Sequence, residues 1–245
     1  MKNRLASSLS SSLSTLDAVE SDADLPSAIA DIRERYKFAH LVFLVVRPPS
    51  PPEISPLYWT TYPREWTDLY VENNYVEIDP VLPIWRTGFL PVDWSDLDWK
   101  SIATRELLRE ASRFGVGRHG VTVPVRGPNG ERSLLSATAN SSRHEWRKLR
   151  ASSDHDLQIL SLYLHEKVAA VSGLRKHGAH RTLSKREQEC LQLVATGLVP
   201  KQIASNLEVS ESAVRLYLGL ARRKLQAATI YEAIAKASFH EKIQT

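Results

Sequence analysis

Ser184-Lys185-Arg186-Glu187, then Lys201-Gln202-Ile203-Ala204-Ser205-Asn206-Leu207-Glu208-Val209-Ser210, then the basic run from Glu211 to Lys224 decide the architecture of the C-terminal part of this chain. Ser184 with Glu187 is an S-x-x-E capping box, so a helix starts at Lys185. Cys190, Leu191, Val194 and Ala195 give that helix an apolar stripe, and Gly197 can supply the left-handed residue that ends it. A short helix from Lys201 to Leu207 buries Ile203, Ala204 and Leu207. Glu208-Val209-Ser210 forms a turn, and Ser210 caps the next helix. There Val214, Tyr217, Leu218, Ala221 and Leu225 recur at helical spacing. The outer face is left to Ser212, Arg215, Leu216, Gly219, Arg222 and Arg223. A last helix covers Tyr231-Glu232-Ala233-Ile234-Ala235-Lys236-Ala237. Four short helices with a helix-turn-helix in their middle suit the major groove of double-stranded DNA. Lys201, Ser210, Ser212, Arg215, Arg222 and Arg223 are the candidate DNA contacts, because Arg reads guanine edges and the other cations meet phosphates.

Working outward, charge agrees with this reading. Residues 181–245 hold 10 Lys+Arg against 6 Asp+Glu, whereas residues 1–180 hold 22 of each. The net charge of +4 therefore sits wholly on the DNA-binding candidate. At 245 residues, 42% hydrophobic and 24% charged, the chain is long enough for two domains and ordinary in composition. No apolar run approaches the roughly 20 residues of a membrane span. The single cysteine, Cys190, gives no disulfide framework, and a cytoplasmic location is expected. Among eight histidines there is no metal-ligand spacing, and no catalytic nucleophile–base constellation stands out. Neither a metal site nor a cofactor nor an enzymatic activity is expected.

The N-terminal part alternates helices and strands. Leu5, Leu9, Leu13 and Leu16 mark a serine-faced amphipathic helix. Helices are expected over 24–36, 65–72, 104–114 and 154–171. Strands are expected over 39–46, stopped by the proline run Pro48–Pro52, and over 121–125 and 132–139, joined by a turn at Gly127-Pro128-Asn129-Gly130. This predicts an α+β fold: an N-terminal α-β-α sandwich on an antiparallel sheet, plus a C-terminal all-α four-helix domain. The expected boundaries are 1–171 for the first domain, 172–181 for a polar linker and 182–245 for the second.

One N-terminal segment concentrates amphipathic side chains. Tyr62, Trp66 and Tyr70 are four apart, which a helix would line up on one face; Asn73-Asn74-Tyr75, Asp79-Pro80-Val81 and Trp94 follow. A Trp/Tyr stripe alone reads as core, and Asp-Pro alone as a turn. Together, an aromatic wall with one carboxylate suits an apolar ligand that carries an amide and a carbonyl.

On these residues the chain resembles the LuxR-type quorum-sensing transcriptional regulators, from about residue 25 to 240. The resemblance rests on YPxxWxxxYxxxNY, then DPV, then a downstream Trp, then the GerE-type helix-turn-helix in which Glu187, Leu191 and Gly197 match. It implies an N-acyl- or aroyl-homoserine lactone as the small-molecule autoinducer. Tyr62 would then bond the acyl amide carbonyl, Trp66 the lactone carbonyl, and Asp79 the amide N–H. Tyr70 and Trp94 would wall the pocket, Gly120 would open a sheet strand, and Ser136 or Thr138 would reach the ligand head. It further implies a homodimer, formed through the first domain and its long helix, on inverted-repeat promoter DNA, with RNA polymerase as a further candidate partner. Leu198, Pro200, Leu216, Tyr217, Gly219 and Ile230 depart from the family's usual residues. The alternatives are a regulator of the same architecture that answers another small molecule or none, a phosphorylation-driven response regulator, and an enzyme. The first half lacks the alternating parallel strands and acidic cluster of a receiver domain, and lacks a base–nucleophile pair.

Overall fold

The computed structural model describes residues 2–46, 57–127, 131–173, 182–239 and 242–243. The Pro48–Pro52 stop, the turn residues Pro128-Asn129-Gly130 and the polar stretch 174–181 lie outside the described residues. The chain divides between Ser172 and Gly173 into two compact units.

Among its described residues the first unit is built on five strands: β1 (His40–Val46), β2 (Leu57–Thr60), β3 (Val92–Asp93), β4 (His119–Arg126) and β5 (Arg132–Ala139). They lie in the order β2-β1-β5-β4-β3, each neighbouring pair antiparallel. Alternation along β1 sends Leu41, Phe43 and Val45 to one face, all fully buried. On that side lie α1 (Lys2–Asp17), α2 (Leu25–Tyr36) and α6 (Arg143–Val171). Leu157, Leu160, Leu164 and Val168 form the buried stripe of α6, and His165 reaches Ser133 of β5 at 2.9 Å. Tyr36 of α2 donates to Asp156 of α6 at 2.7 Å. The other face carries α3 (Arg64–Glu72), α4 (Ile84–Thr87) and α5 (Ile102–Arg113), so the sheet is covered on both sides.

The N-terminal helix belongs to the packed unit. Ser12, Leu16 and Val19 are buried. Arg35 donates to the Ser12 hydroxyl, and Lys167 caps the end of α1 by donating to the Asp17 and Val19 carbonyls at 3.1 and 3.3 Å.

Two expectations need correction. The long helix begins at Arg143, eleven residues before the expected Asp154, because Ser142 and Glu145 form a capping box that starts it. Tyr62 is not on a helix with Trp66 and Tyr70. It precedes Pro63, whose ring bars helical backbone at the residue before it, and α3 starts after that proline. Strands β2 and β3 were not expected from the sequence.

Among its described residues the second unit holds four helices, α7 (Lys185–Ala195), α8 (Pro200–Leu207), α9 (Glu211–Lys224) and α10 (Ile230–Phe239). The Ser184–Glu187 capping box and the Ser210 cap form as read, and Gly197 has φ +92°. The turn into α9 passes through Glu208 at φ 55°. Cys190, Ile203 and Val214 form one buried cluster; Leu191, Leu225, Ala233 and Ala237 form another. Glu187 is buried between α7 and α9. Burial alone would push its carboxyl up, but the Lys224 ammonium at 2.7 Å and the Ser184 N–H outweigh that and hold it below the usual range.

Candidate functional site: an aromatic pocket and a helix-turn-helix

Helix α3 carries Trp66 and Tyr70 one turn apart on its inner side. The chain then reverses through Asn74 in left-handed backbone (φ 50°) and a tight turn at Tyr75–Glu77. This brings Asp79 back beneath the helix. The Tyr70 hydroxyl donates to Asp79 Oδ2 and the Val81 N–H donates to Oδ1, both at 2.8 Å. Burial pushes the Asp79 carboxyl above the ordinary carboxylate range, and those two bonds offset part of the rise. Burial, then the charge of Asp79, pushes the Tyr62 and Tyr70 phenols well above their usual value, so both are neutral donors.

Trp66 is the centre of this end. Its ring lies edge-on to Tyr70 at 5.8 Å, stacked on Tyr75 at 6.0 Å and tilted to Phe114 at 5.9 Å. Tyr62 joins the same cluster and faces the His40 ring at 5.2 Å. The Trp66 indole N–H and the Tyr62 hydroxyl make no hydrogen bond to another described residue.

Trp94 packs on the sheet in a neighbouring cluster, with Trp99 shared between the two. Its N–H donates to Thr122 Oγ1 at 2.9 Å, and the Trp99 N–H donates to its carbonyl at 2.7 Å. With Val81, Ile84, Leu134, Trp85 and Leu97 it forms an apolar cluster continuous with the sheet face. Gly120 makes this packing possible. A Cβ there would stand 2.3 Å from Trp94 Cδ2, inside any tolerable contact. Ser136 lies opposite Thr122 on the adjoining strand and shares a 2.8 Å bond with its hydroxyl. Thr138 is on the same face, but its hydroxyl is committed to the Val116 carbonyl at 2.5 Å.

Next to Trp94, Asp93 fastens β3 to α6. One carboxylate oxygen accepts from the Ser95 N–H and hydroxyl; the other accepts from the Trp146 indole at 3.1 Å and Arg150 at 2.6 Å. Arg150 also pairs with Asp154, and Trp146 stacks on His119 at 5.9 Å. Burial would raise the Asp93 pKa, yet those hydrogen bonds and the guanidinium together lower it. Sequence reading found Tyr62, Trp66, Tyr70, Asp79 and Trp94, which the fold brings around one region of the sheet. It missed Thr122, Phe114 and Asp93. Thr122 was within reach, being two residues from Gly120 on the same strand face.

In the second unit, α8 and α9 form the helix-turn-helix. Lys201, Ser210, Ser212, Arg215, Arg222 and Arg223 are all exposed. Arg215 pairs with Glu211 at 2.5 Å. Arg222 donates to the Ala228 carbonyl at 3.0 Å, which turns it toward the end of the helix. Leu216 is 56% exposed on the same outward face.

Comparisons with known proteins follow this division. Residues 21–168 match the autoinducer binding domain, and residues 181–237 match the bacterial regulatory proteins of the luxR family. The transcriptional activator RaiR of Rhizobium etli is 49% identical over 178 residues, 73% of this chain and 74% of that protein. The transcriptional activator VanR of Vibrio anguillarum is 30% identical over 178 residues, 72% of each. In fold, the chain resembles SdiA of Escherichia coli, with TM-score 0.67 at 21% identity over 97% of this chain and 98% of that one. It also resembles CepR2 of Burkholderia cenocepacia, an N-acylhomoserine lactone dependent LuxR family factor. There the TM-score is 0.56 at 22% identity, over 67% of this chain and 98% of that one.

Proposed function

The chain belongs to the luxR family of bacterial regulatory proteins, as a quorum-sensing transcriptional regulator with an autoinducer-binding domain and a DNA-binding helix-turn-helix, and from that premise we propose that its autoinducer is an N-acyl- or aroyl-homoserine lactone. The observation that carries this reading is a matched set of unspent groups. Asp79 is a desolvated carboxylate with acceptor capacity left, and the Trp66 indole and Tyr62 phenol are donors without a bond to another described residue. A ligand amide N–H satisfies Asp79, its acyl carbonyl accepts from Tyr62, and its lactone carbonyl accepts from Trp66. Tyr70 and Trp94 wall the cavity, and the acyl or aroyl group takes the apolar end beside Trp94. Of the two candidate hydroxyls on this face of β5, Ser136 is the ligand contact, because its partner Thr122 adjoins Trp94 whereas Thr138 is turned to the Val116 carbonyl.

The protein acts in the cytoplasm as a homodimer on promoter DNA, contacting RNA polymerase there. Residues 1–171 bind ligand and dimerise, 172–181 link, and 182–245 bind DNA. Leu162 and Tyr163 are about half exposed on α6, with Ile159 one turn before them, a stripe suited to a second copy. Two helix-turn-helix modules one helical turn apart call for an inverted repeat of roughly 18–20 base pairs. Ser210, Ser212 and Arg215 face the bases; Lys201, Arg223 and, once released from Ala228, Arg222 meet phosphates.

The test is a lactone panel. The right ligand at a hundredfold excess over its Kd adds about 2.7 kcal/mol to the first unit and raises its melting temperature. Asp79→Asn and Trp66→Phe each weaken binding by about 1–3 kcal/mol in a ligand titration. A broad panel that shifts no melting temperature would assign the pocket to another small molecule, and full affinity in both variants would remove the roles given to these two residues.

A further inference from the structure

The outward face of α9 carries an acid where a nucleic-acid surface ordinarily has none. Its first two turns expose Glu211, Ser212, Arg215 and Leu216; within them the one cation lies 2.5 Å from the one carboxylate, on side chains 68% and 44% exposed. Glu211 is well placed as a helix residue, because an anion is favoured in the first turn beside the Ser210 cap. Facing DNA it is another matter. The duplex carries one negative charge per about 1.7 Å of axis, so a carboxylate turned to the backbone is repelled. Only amino groups in the major groove, above all cytosine N4, offer it a donor.

We propose that Glu211 is a specificity-determining residue: it accepts from a cytosine N4 amino group and holds the Arg215 guanidinium for bidentate contact with a guanine. The proposal rests on DNA recognition by this helix-turn-helix. Glu211 and Arg215 are one helical turn apart, about 5.4 Å, which spans one to two base steps of about 3.4 Å. The two bases therefore lie on neighbouring or next-neighbouring pairs of each half-site. Because the pair is neutral, it adds sequence preference without adding phosphate neutralisation.

The experiment equilibrates the full-length chain with a pool of randomised duplexes and sequences the retained DNA, for wild type, Glu211→Ala, Glu211→Gln and Arg215→Ala. Wild type is expected to enrich a guanine with a cytosine one or two pairs away. Glu211→Ala should lose the cytosine preference by roughly 5- to 150-fold. It should also steepen the fall of log K with log salt by about 0.9 per subunit, as the freed Arg215 reaches a phosphate. Glu211→Gln, nearly the same shape, should exchange the cytosine for an adenine, because Gln pairs with adenine N6 and N7. An unchanged cytosine preference in both Glu211 variants overturns the proposal, as does a loss spread evenly over all duplexes. Failure of the wild-type protein to enrich any sequence would instead remove DNA reading by this helix, on which the proposal stands.

Discussion

Gly120→Ala is expected to destabilise the first unit by about 3 kcal/mol and to lower its melting temperature by roughly 5–10 °C. The added methyl would stand 2.3 Å from Cδ2 and 2.5 Å from Cε2 and Cε3 of Trp94, a rigid ring rather than a flexible tip. That ring cannot swing away cheaply. Its N–H is tied to Thr122, and its backbone carbonyl accepts from Trp99. All six tryptophans of the chain (residues 59, 66, 85, 94, 99 and 146) lie in the first unit. Tryptophan fluorescence during heating therefore reports on that unit alone. The double variant Gly120→Ala/Trp94→Ala should cost less than the sum of the two single changes, because removing the ring makes room for the methyl. Strict additivity would show that the glycine serves something other than the ring.

Asp93→Ala should cost about 2–3 kcal/mol at neutral pH, since it leaves the Trp146 N–H and the Arg150 guanidinium without an acceptor they share. The pH dependence has a definite sign. Asp93 has a folded-state pKa below its unfolded value, so its contribution is fully present above about pH 4, the ordinary aspartate value. It is lost as pH falls through the lower folded value. The stability gap between wild type and Asp93→Ala should thus be widest at neutral pH and shrink under acid. Denaturant unfolding at pH 7 and pH 3, followed by tryptophan fluorescence, measures it. A gap that stays constant over this range would mean that the carboxylate charge contributes nothing to the clamp.

The two units were legible in the sequence to different degrees for a physical reason. The second unit is specified by signals three or four residues apart. Ser184 with Glu187, Gly197, and Ser210 before α9 each act on their own neighbours, so reading them in order gave the helices nearly residue by residue. The first unit is specified by contacts across the chain. Asp93 meets Arg150 over 57 positions and Tyr36 meets Asp156 over 120, distances no periodicity encodes. Strand β3 has two residues, too few for alternation to show. Two misplacements were avoidable. Ser142 and Glu145 repeat the same S-x-x-E pattern that placed α7, and Pro63 already barred Tyr62 from the helix. The candidate site was legible in its members, because Trp66, Tyr70, Asp79 and Trp94 are chemically conspicuous. It was not legible in its supports, because Thr122 and Phe114 become meaningful only once the strands are in register, and Gly120, marked in the sequence as a strand glycine, shows its role against Trp94 only then.

The N-terminal helix has a consequence for where this protein can be cut. Similarity to the autoinducer-binding domain begins at residue 21, yet the cooperative unit reaches back through α1. A fragment trimmed to the family outline would strip cover from the α2 and α6 surfaces under Ser12, Leu16 and Val19. It would also take away the hydroxyl that meets Arg35 and both carbonyls that meet Lys167. The outline drawn by resemblance and the outline drawn by burial differ here by about a whole helix. For a domain that must stay folded while its ligand comes and goes, the second outline is the one that sets the smallest self-sufficient piece.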